Sequence, residues 1–119
     1  MGRIIARVRR YGRVIRLREE KLEEYVRLHR AVWPGVLATL QAAHVRDYTI
    51  YLRRLDDGRL YLFSTFEYHG DDFAADQARI AADPVTQAWW KLTDPCQEPL
   101  DSRAPGEWWS ELEEVFHLD

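Results

Sequence analysis

Residues 45–54, VRDYTIYLRR, and 59–67, RLYLFSTFE, are two runs rich in β-branched and aromatic residues, parted by little more than Asp56, Asp57 and Gly58. An Asp-Gly pair between such runs is a strong hairpin signal, and so short a connection can join only antiparallel strands. This hairpin is the fixed point to which the rest of the chain must be fitted. On its first strand, period-two alternation gives Tyr48, Ile50 and Leu52 one face and Asp47, Thr49 and Tyr51 the other.

The flanking segments supply the other elements. Residues 11–17, YGRVIRL, read as a strand that follows a loose basic extension over residues 1–10. From Glu19 to His44 the pattern is helical, with Glu19, Glu20, Glu23 and Glu24 gathered early, where acids favour a helix start. Pro34 lacks the donor of an interior turn and disfavours helical geometry for the residue before it, so a break is expected near Trp33. Residues 71–82 read as a further helix, and Asp83-Pro84 opens another through Trp89, Trp90 and Leu92 with Asp83 as its N-cap. Pro95, Pro99 and Pro105 then mark a surface loop, and SELEEVFHL, residues 110–118, closes the chain as a strand with Leu112, Phe116 and Leu118 on one side. The order βαββαβ is that of an α+β ferredoxin-like plait, an antiparallel sheet with its helices on one face. Its first and last strands are neighbours, which sets the arginines of the first beside Glu111, Glu113 and Glu114.

A chain of 119 residues accommodates one domain, here residues 11–119, with a core of useful size. No apolar run approaches the roughly 20 residues of a bilayer span. The single cysteine, Cys96, cannot form an internal disulfide, and no apolar signal core precedes a cleavage site, so a cytoplasmic protein without membrane contact is expected. Arg3, Arg7, Arg9, Arg10, Arg13, Arg16 and Arg18 all precede the first acid, Glu19. No nucleic-acid recognition motif accompanies them, and pairing with acids on a neighbouring strand is the reading adopted. CxxC, HExxH, P-loop and GxGxxG patterns are absent, and the spacing of His29, His44, His69 and His117 suggests no preformed metal site, so neither metal nor cofactor is expected.

Chemistry concentrates in EYVRLHRAVWP, residues 24–34, where helical geometry aligns Tyr25, His29 and Trp33 at intervals of four along one side. Leu22, Val32, Val36, Leu37 and Leu40 belong to the same stripe, so His29 faces inward. A lone histidine on an apolar face is commonly a core residue bonded to a backbone carbonyl. Flanked by two rings, however, an imidazole whose unperturbed pKa is about 6.5 is also a candidate for donating and accepting protons at neutral pH. Trp89 and Trp90, about 100° apart on a helix, point different ways. Flat rings beside a polar catalytic group suit the apolar face of a sugar, with Tyr48 and Tyr51 as donors to its hydroxyls. Trp108-Trp109 is assigned a structural role or a subunit contact.

Taken together, EYVRLHRAVWP, DYTIYL, the DP…WWKL run of residues 83–92 and SELEEVFHL resemble the L-rhamnose mutarotase family, in order and at similar separations, from about residue 11 to the end. The resemblance implies a dimeric α+β barrel, a homodimer without metal, that interconverts the α and β anomers of L-rhamnopyranose. It makes His29 the general acid/base, Tyr25 and Tyr48 substrate contacts, and Trp89 and Trp90 the sugar platform. Trp33 and Tyr51 complete the candidate sugar-binding set. Asp47 stands where the family often has asparagine, and Cys96 where methionine is common; with the longer loop bearing Trp108-Trp109, they leave L-fucose or another 6-deoxy sugar as an alternative substrate. Two other readings stay open: a dimeric α+β barrel monooxygenase or haem-binding protein, which uses the same plait, and a non-catalytic sugar-binding module.

Overall fold

The structure, a computed structural model, describes residues 8–119. The basic extension expected over residues 1–10 falls largely outside the described residues. Its last two residues join the sheet, because β1 runs Arg9–Leu17. After a 3-10 turn at Glu19–Lys21 come α1, Leu22–His29, and α2, Pro34–Ala42. The hairpin strands are β2, Val45–Arg54, and β3, Leu60–Tyr68, followed by α3, Phe73–Ala82, and α4, Pro84–Thr93. A 3-10 turn at Asp94–Cys96 leads into β4, Gln97–Glu98, and the last strand is β5, Ser110–Leu112.

The sheet is antiparallel in the order β2-β3-β1-β4, with β5 also paired to β1. First and last strands are thus neighbours, and Arg13 on β1 meets Glu111 on β5 with Nε 3.0 Å from the carboxylate. The closing strand is shorter than the sequence suggests. It ends at Leu112, and Val115, Phe116 and Leu118 are exposed by 91%, 79% and 79%. Glu114 falls on the same side as Leu112, Phe116 and Leu118, so an acid interrupts the apolar face that would hold a longer ladder in place. The proline-bearing loop, in turn, contains β4, which adds Gln97 opposite Leu17 and Glu98 opposite Arg16.

The break at Pro34 is where the chemistry of proline requires it. Trp33 is extended (φ −60°, ψ 133°) and Pro34 occupies the first turn of α2. Asp83 caps α4 by accepting from the Thr86 amide and hydroxyl, both at 2.8 Å. Asp72 caps α3 through the Ala75 amide at 3.1 Å. The α2–β2 connection turns at His44, with φ 65° and no glycine to mark it.

Paired residues share a face, so Tyr11, Arg13, Ile15 and Leu17 of β1 lie beside Phe66, Ser64, Leu62 and Leu60 of β3. That face meets the helices. Ile15, Leu17, Leu60, Leu62, Tyr25 and Cys96 form one buried cluster, with Leu22, Ile50 and Trp109 against it. Ala43, Val45, Phe66 and Ile80 form a second, joined by Tyr11, Leu40 and Phe73. Between them β2 carries a bulge: register passes from Arg46–Glu67 to Thr49–Thr65, and Asp47 takes φ 54°. The extra residue lets Val45 and Tyr48, three apart, both face the helices, which a regular strand would forbid.

Candidate active site

Helix α1 and the chain entering α2 present Tyr25, His29 and Trp33, and α4 brings Trp89 against them. The rings follow one another without a gap. Tyr25 and His29 have centroids 4.2 Å apart, His29 and Trp89 meet edge-on at 5.5 Å, and Trp89 and Trp33 meet edge-on at 5.2 Å. Tyr25 and Trp89 are buried and His29 is half-buried. Trp90, the next residue on α4, turns outward and is 37% exposed.

His29 Nδ1 lies 2.8 Å from the Tyr25 carbonyl oxygen. A carbonyl can only accept, so Nδ1 carries a proton, and in the neutral ring Nε2 holds the free lone pair. The contact that could mark a merely structural histidine therefore also fixes its tautomer with a basic nitrogen to spare. Burial pulls the His29 pKa below 6.5, and the Tyr25 carbonyl opposes that shift. The neutral base is the form favoured at pH 7.

Tyr25 belongs to a second chain of contacts. Its hydroxyl oxygen lies 3.3 Å from Gln97 Nε2, and Gln97 Oε1 accepts from Trp108 Nε1 at 2.8 Å. Burial, the largest influence, pushes the Tyr25 phenol far above its ordinary range, partly offset by the Gln97 bond, with Tyr48 adding to the rise. On the sheet Tyr48 stacks over Phe66 at 5.6 Å, and Arg13 sits 5.2 Å from the centre of the same Phe66 ring. Tyr48 keeps 44% of its surface exposed, while desolvation of its phenol end raises its pKa and Arg13 draws it back.

Of the residues singled out in the sequence, Tyr25, His29, Trp33 and Trp89 are therefore one cluster, with Tyr48 on the sheet face turned toward the helices. Tyr51 is not with them. It pairs with Phe63 on the opposite sheet face and is 60% exposed. Arg13 and Gln97 were missed. Alternation gave a signal for Arg13, a charge between Tyr11 and Ile15 on a face otherwise apolar, whereas Gln97 had none, because only its register opposite Leu17 turns it inward. A cavity of about 370 Å³ lies elsewhere, between Tyr11, Gly12, Asp47, Phe66, Leu112 and His117, under the C-terminal tail. The ring cluster is the stronger candidate, because there a half-buried imidazole is packed directly between two aromatic rings. Among the described residues no three His, Cys, Asp or Glu side chains converge as a metal cluster, and no helix is long and apolar enough to cross a membrane.

Residues 10–118 match the family model for L-rhamnose mutarotase. An L-rhamnose mutarotase of Lactiplantibacillus plantarum is 30% identical over 110 residues, covering 92% of this chain and 98% of that one. An L-fucose mutarotase of Xanthomonas campestris pv. campestris is 41% identical over 101 residues, 82% of this chain and 76% of that one. An L-rhamnose mutarotase of Escherichia coli O8 is 32% identical over 105 residues, 88% and 93% of the two chains. The crystal structure of L-rhamnose mutarotase from Formosa agariphila superposes with a TM-score of 0.68 at 20% identity, covering 93% of this chain and 99% of that one, a likeness of fold.

Proposed function

This chain belongs to the L-rhamnose mutarotase family, and from that premise we propose that it is an isomerase interconverting the α and β anomers of L-rhamnose, with His29 as the general acid/base. The observation that carries the reading is the unbroken row Tyr25, His29, Trp89, Trp33, in which the Tyr25 carbonyl leaves His29 Nε2 as the basic atom.

Neutral Nε2 takes the proton of the anomeric hydroxyl as the bond from C1 to the ring oxygen breaks. The imidazolium then returns that proton to the ring oxygen, giving the open-chain aldehyde. Rotation about C1–C2 presents the other carbonyl face, and the same transfers in reverse close the ring. Proton and electron pair are both conserved, so one histidine alternating between base and acid suffices, a role worth roughly 10²- to 10⁴-fold. Trp89 and Trp33 supply the apolar surface, and Tyr25 and Tyr48 the hydroxyl contacts.

A second sugar has support of its own, because the L-fucose mutarotase of Xanthomonas campestris pv. campestris is more similar in sequence, at 41%, than the three rhamnose enzymes compared above, at 30%, 32% and 20%. Saturation-transfer NMR of anomer exchange with L-rhamnose, L-fucose and L-mannose decides between them. Fastest exchange of L-rhamnose supports the reading, fastest exchange of L-fucose moves the assignment to that sugar, and no acceleration of any of the three refutes it. The same reading makes the protein a cytoplasmic homodimer, and the exposure of Tyr51 and of Leu112 (43%) on the sheet face away from the helices supports the dimer.

A further inference from the structure

We propose that Gln97 and Trp108 are positioning residues that fix the direction of the Tyr25 hydroxyl, so that it donates its proton to the sugar. The inference rests on the reading above, in which Tyr25 faces the substrate, and concerns two residues outside the aromatic row.

An indole N–H can only donate, so the atom of the Gln97 amide that meets Trp108 Nε1 at 2.8 Å must be the carbonyl oxygen. The orientation of the amide follows, and its NH₂ group faces Tyr25, 3.3 Å from the hydroxyl oxygen. That oxygen therefore accepts. A phenol has one proton, which must then point away from Gln97, and among the described residues the Tyr25 hydroxyl donates to no protein group. Without Trp108 the amide could rotate and take the proton itself. With Trp108 in place, Tyr25 is left as a donor on the helix that carries His29.

The placement is specific to this fold. Gln97 lies opposite Leu17 in the short β4–β1 ladder, which turns its side chain toward the helix-covered face, where it is 5% exposed beside Tyr25 at 4%. Trp108 comes from the far end of the same loop and is 42% exposed, so it reaches Gln97 from outside. Burial keeps the Tyr25 phenol protonated, as a donor must be. The pair thus couples the loop between α4 and β5 to the side chain one turn before the proposed base.

The test is a double-mutant cycle on anomer exchange. Gln97→Glu preserves shape but makes the group an acceptor toward both neighbours, drawing the Tyr25 proton away from the sugar. Gln97→Glu and Tyr25→Phe are each expected to lower kcat/KM about tenfold, the loss of one hydrogen bond of roughly 1.4 kcal/mol, and the double variant is expected to match Tyr25→Phe alone. Full activity in Gln97→Glu, or a further independent loss in the double variant, overturns the proposal. A purely structural role would lower the melting temperature without this non-additivity. Should Gln97→Glu fail to fold, the sugar-free Trp108 indole N–H resonance is compared in wild type and Gln97→Leu. A protected, shifted resonance that is lost in the variant supports the relay, and an unchanged one overturns it. If that resonance behaves as expected while Tyr25→Phe exchanges sugar like wild type, the placement of Tyr25 in the site is what fails.

Discussion

Gly70 carries no catalytic group, yet the structure makes a sharp statement about it. It follows β3 and lies against the tyrosine that ends that strand. A methyl group placed on Gly70 would overlap the Tyr68 hydroxyl and stand 2.8 Å from Asp76 Oδ2. Neither atom can move freely. Tyr68 is 1% exposed and donates to Asp76, and Asp76 is 3% exposed and also holds His44 Nδ1 at 3.1 Å and Arg79 at 3.3 Å. Gly70→Ala therefore forces atoms into a packed, bonded region, which costs about 1–3 kcal/mol. In a domain of this length that is a fall in Tm of about 4–12 °C. The matched control is Gly12→Ala, whose methyl would meet Leu112 Cδ1 at 3.4 Å, an ordinary contact; its Tm is expected to hold or rise slightly as the unfolded chain loses freedom. Tyr68→Phe removes the hydroxyl oxygen but leaves the ring carbon that bore it 2.5 Å from the added methyl, so Gly70→Ala should still destabilise in that background, by somewhat less than in wild type. Differential scanning calorimetry of the four variants reads all three comparisons. A Gly70→Ala protein that melts with wild type, or the same cost with and without the Tyr68 hydroxyl, would refute the reasoning.

The two tryptophans of α4 should separate cleanly in chemical denaturation: Trp89→Ala, at 5% exposure, is expected to cost about 3–5 kcal/mol, and Trp90→Ala, at 37%, clearly less. Equal costs would contradict the packing described. Activity should show an acidic limb, because burial holds the His29 pKa below 6.5, so kcat/KM is expected to be level near pH 7 and to fall as pH drops through that lowered value. A limb centred above 6.5 would oppose the assignment. The same group binds a proton more readily unfolded than folded, so its contribution to stability is complete above pH 6.5 and is lost as pH falls through the folded pKa. Replacing His29 by Gln should flatten that part of a Tm–pH curve.

What could be read from the chain without coordinates was what depends on neighbours in sequence. Asp-Gly closes a hairpin and Pro34 interrupts a helix, and Asp83 caps the next one, each through atoms within a few residues. The row of Tyr25, His29 and Trp33 was legible for the same reason. The bulge at Asp47 was not, because a left-handed Asp leaves no more trace than any loop Asp; it lets Tyr48 share the helix-covered face with Val45. Tyr51, grouped with Tyr48 as a donor, lies on the other sheet face, because donor chemistry says nothing of which face the helices cover. The closing strand was overestimated because Val115, Phe116 and Leu118 resemble a β-run, while their exposure depends on what lies across from them. Gln97 sits among prolines, and nothing local marks it; Trp108 and Tyr25, 11 residues after and 72 residues before it, give the residue its place.

The central claim is that His29 moves the proton. Saturation-transfer NMR of anomer exchange, comparing wild type and His29→Ala with L-rhamnose and L-fucose, tests it most directly. The acceleration shown by wild type should disappear in the variant for whichever sugar the enzyme accepts, with the fold intact by circular dichroism. Undiminished exchange in a folded His29→Ala protein would contradict the account.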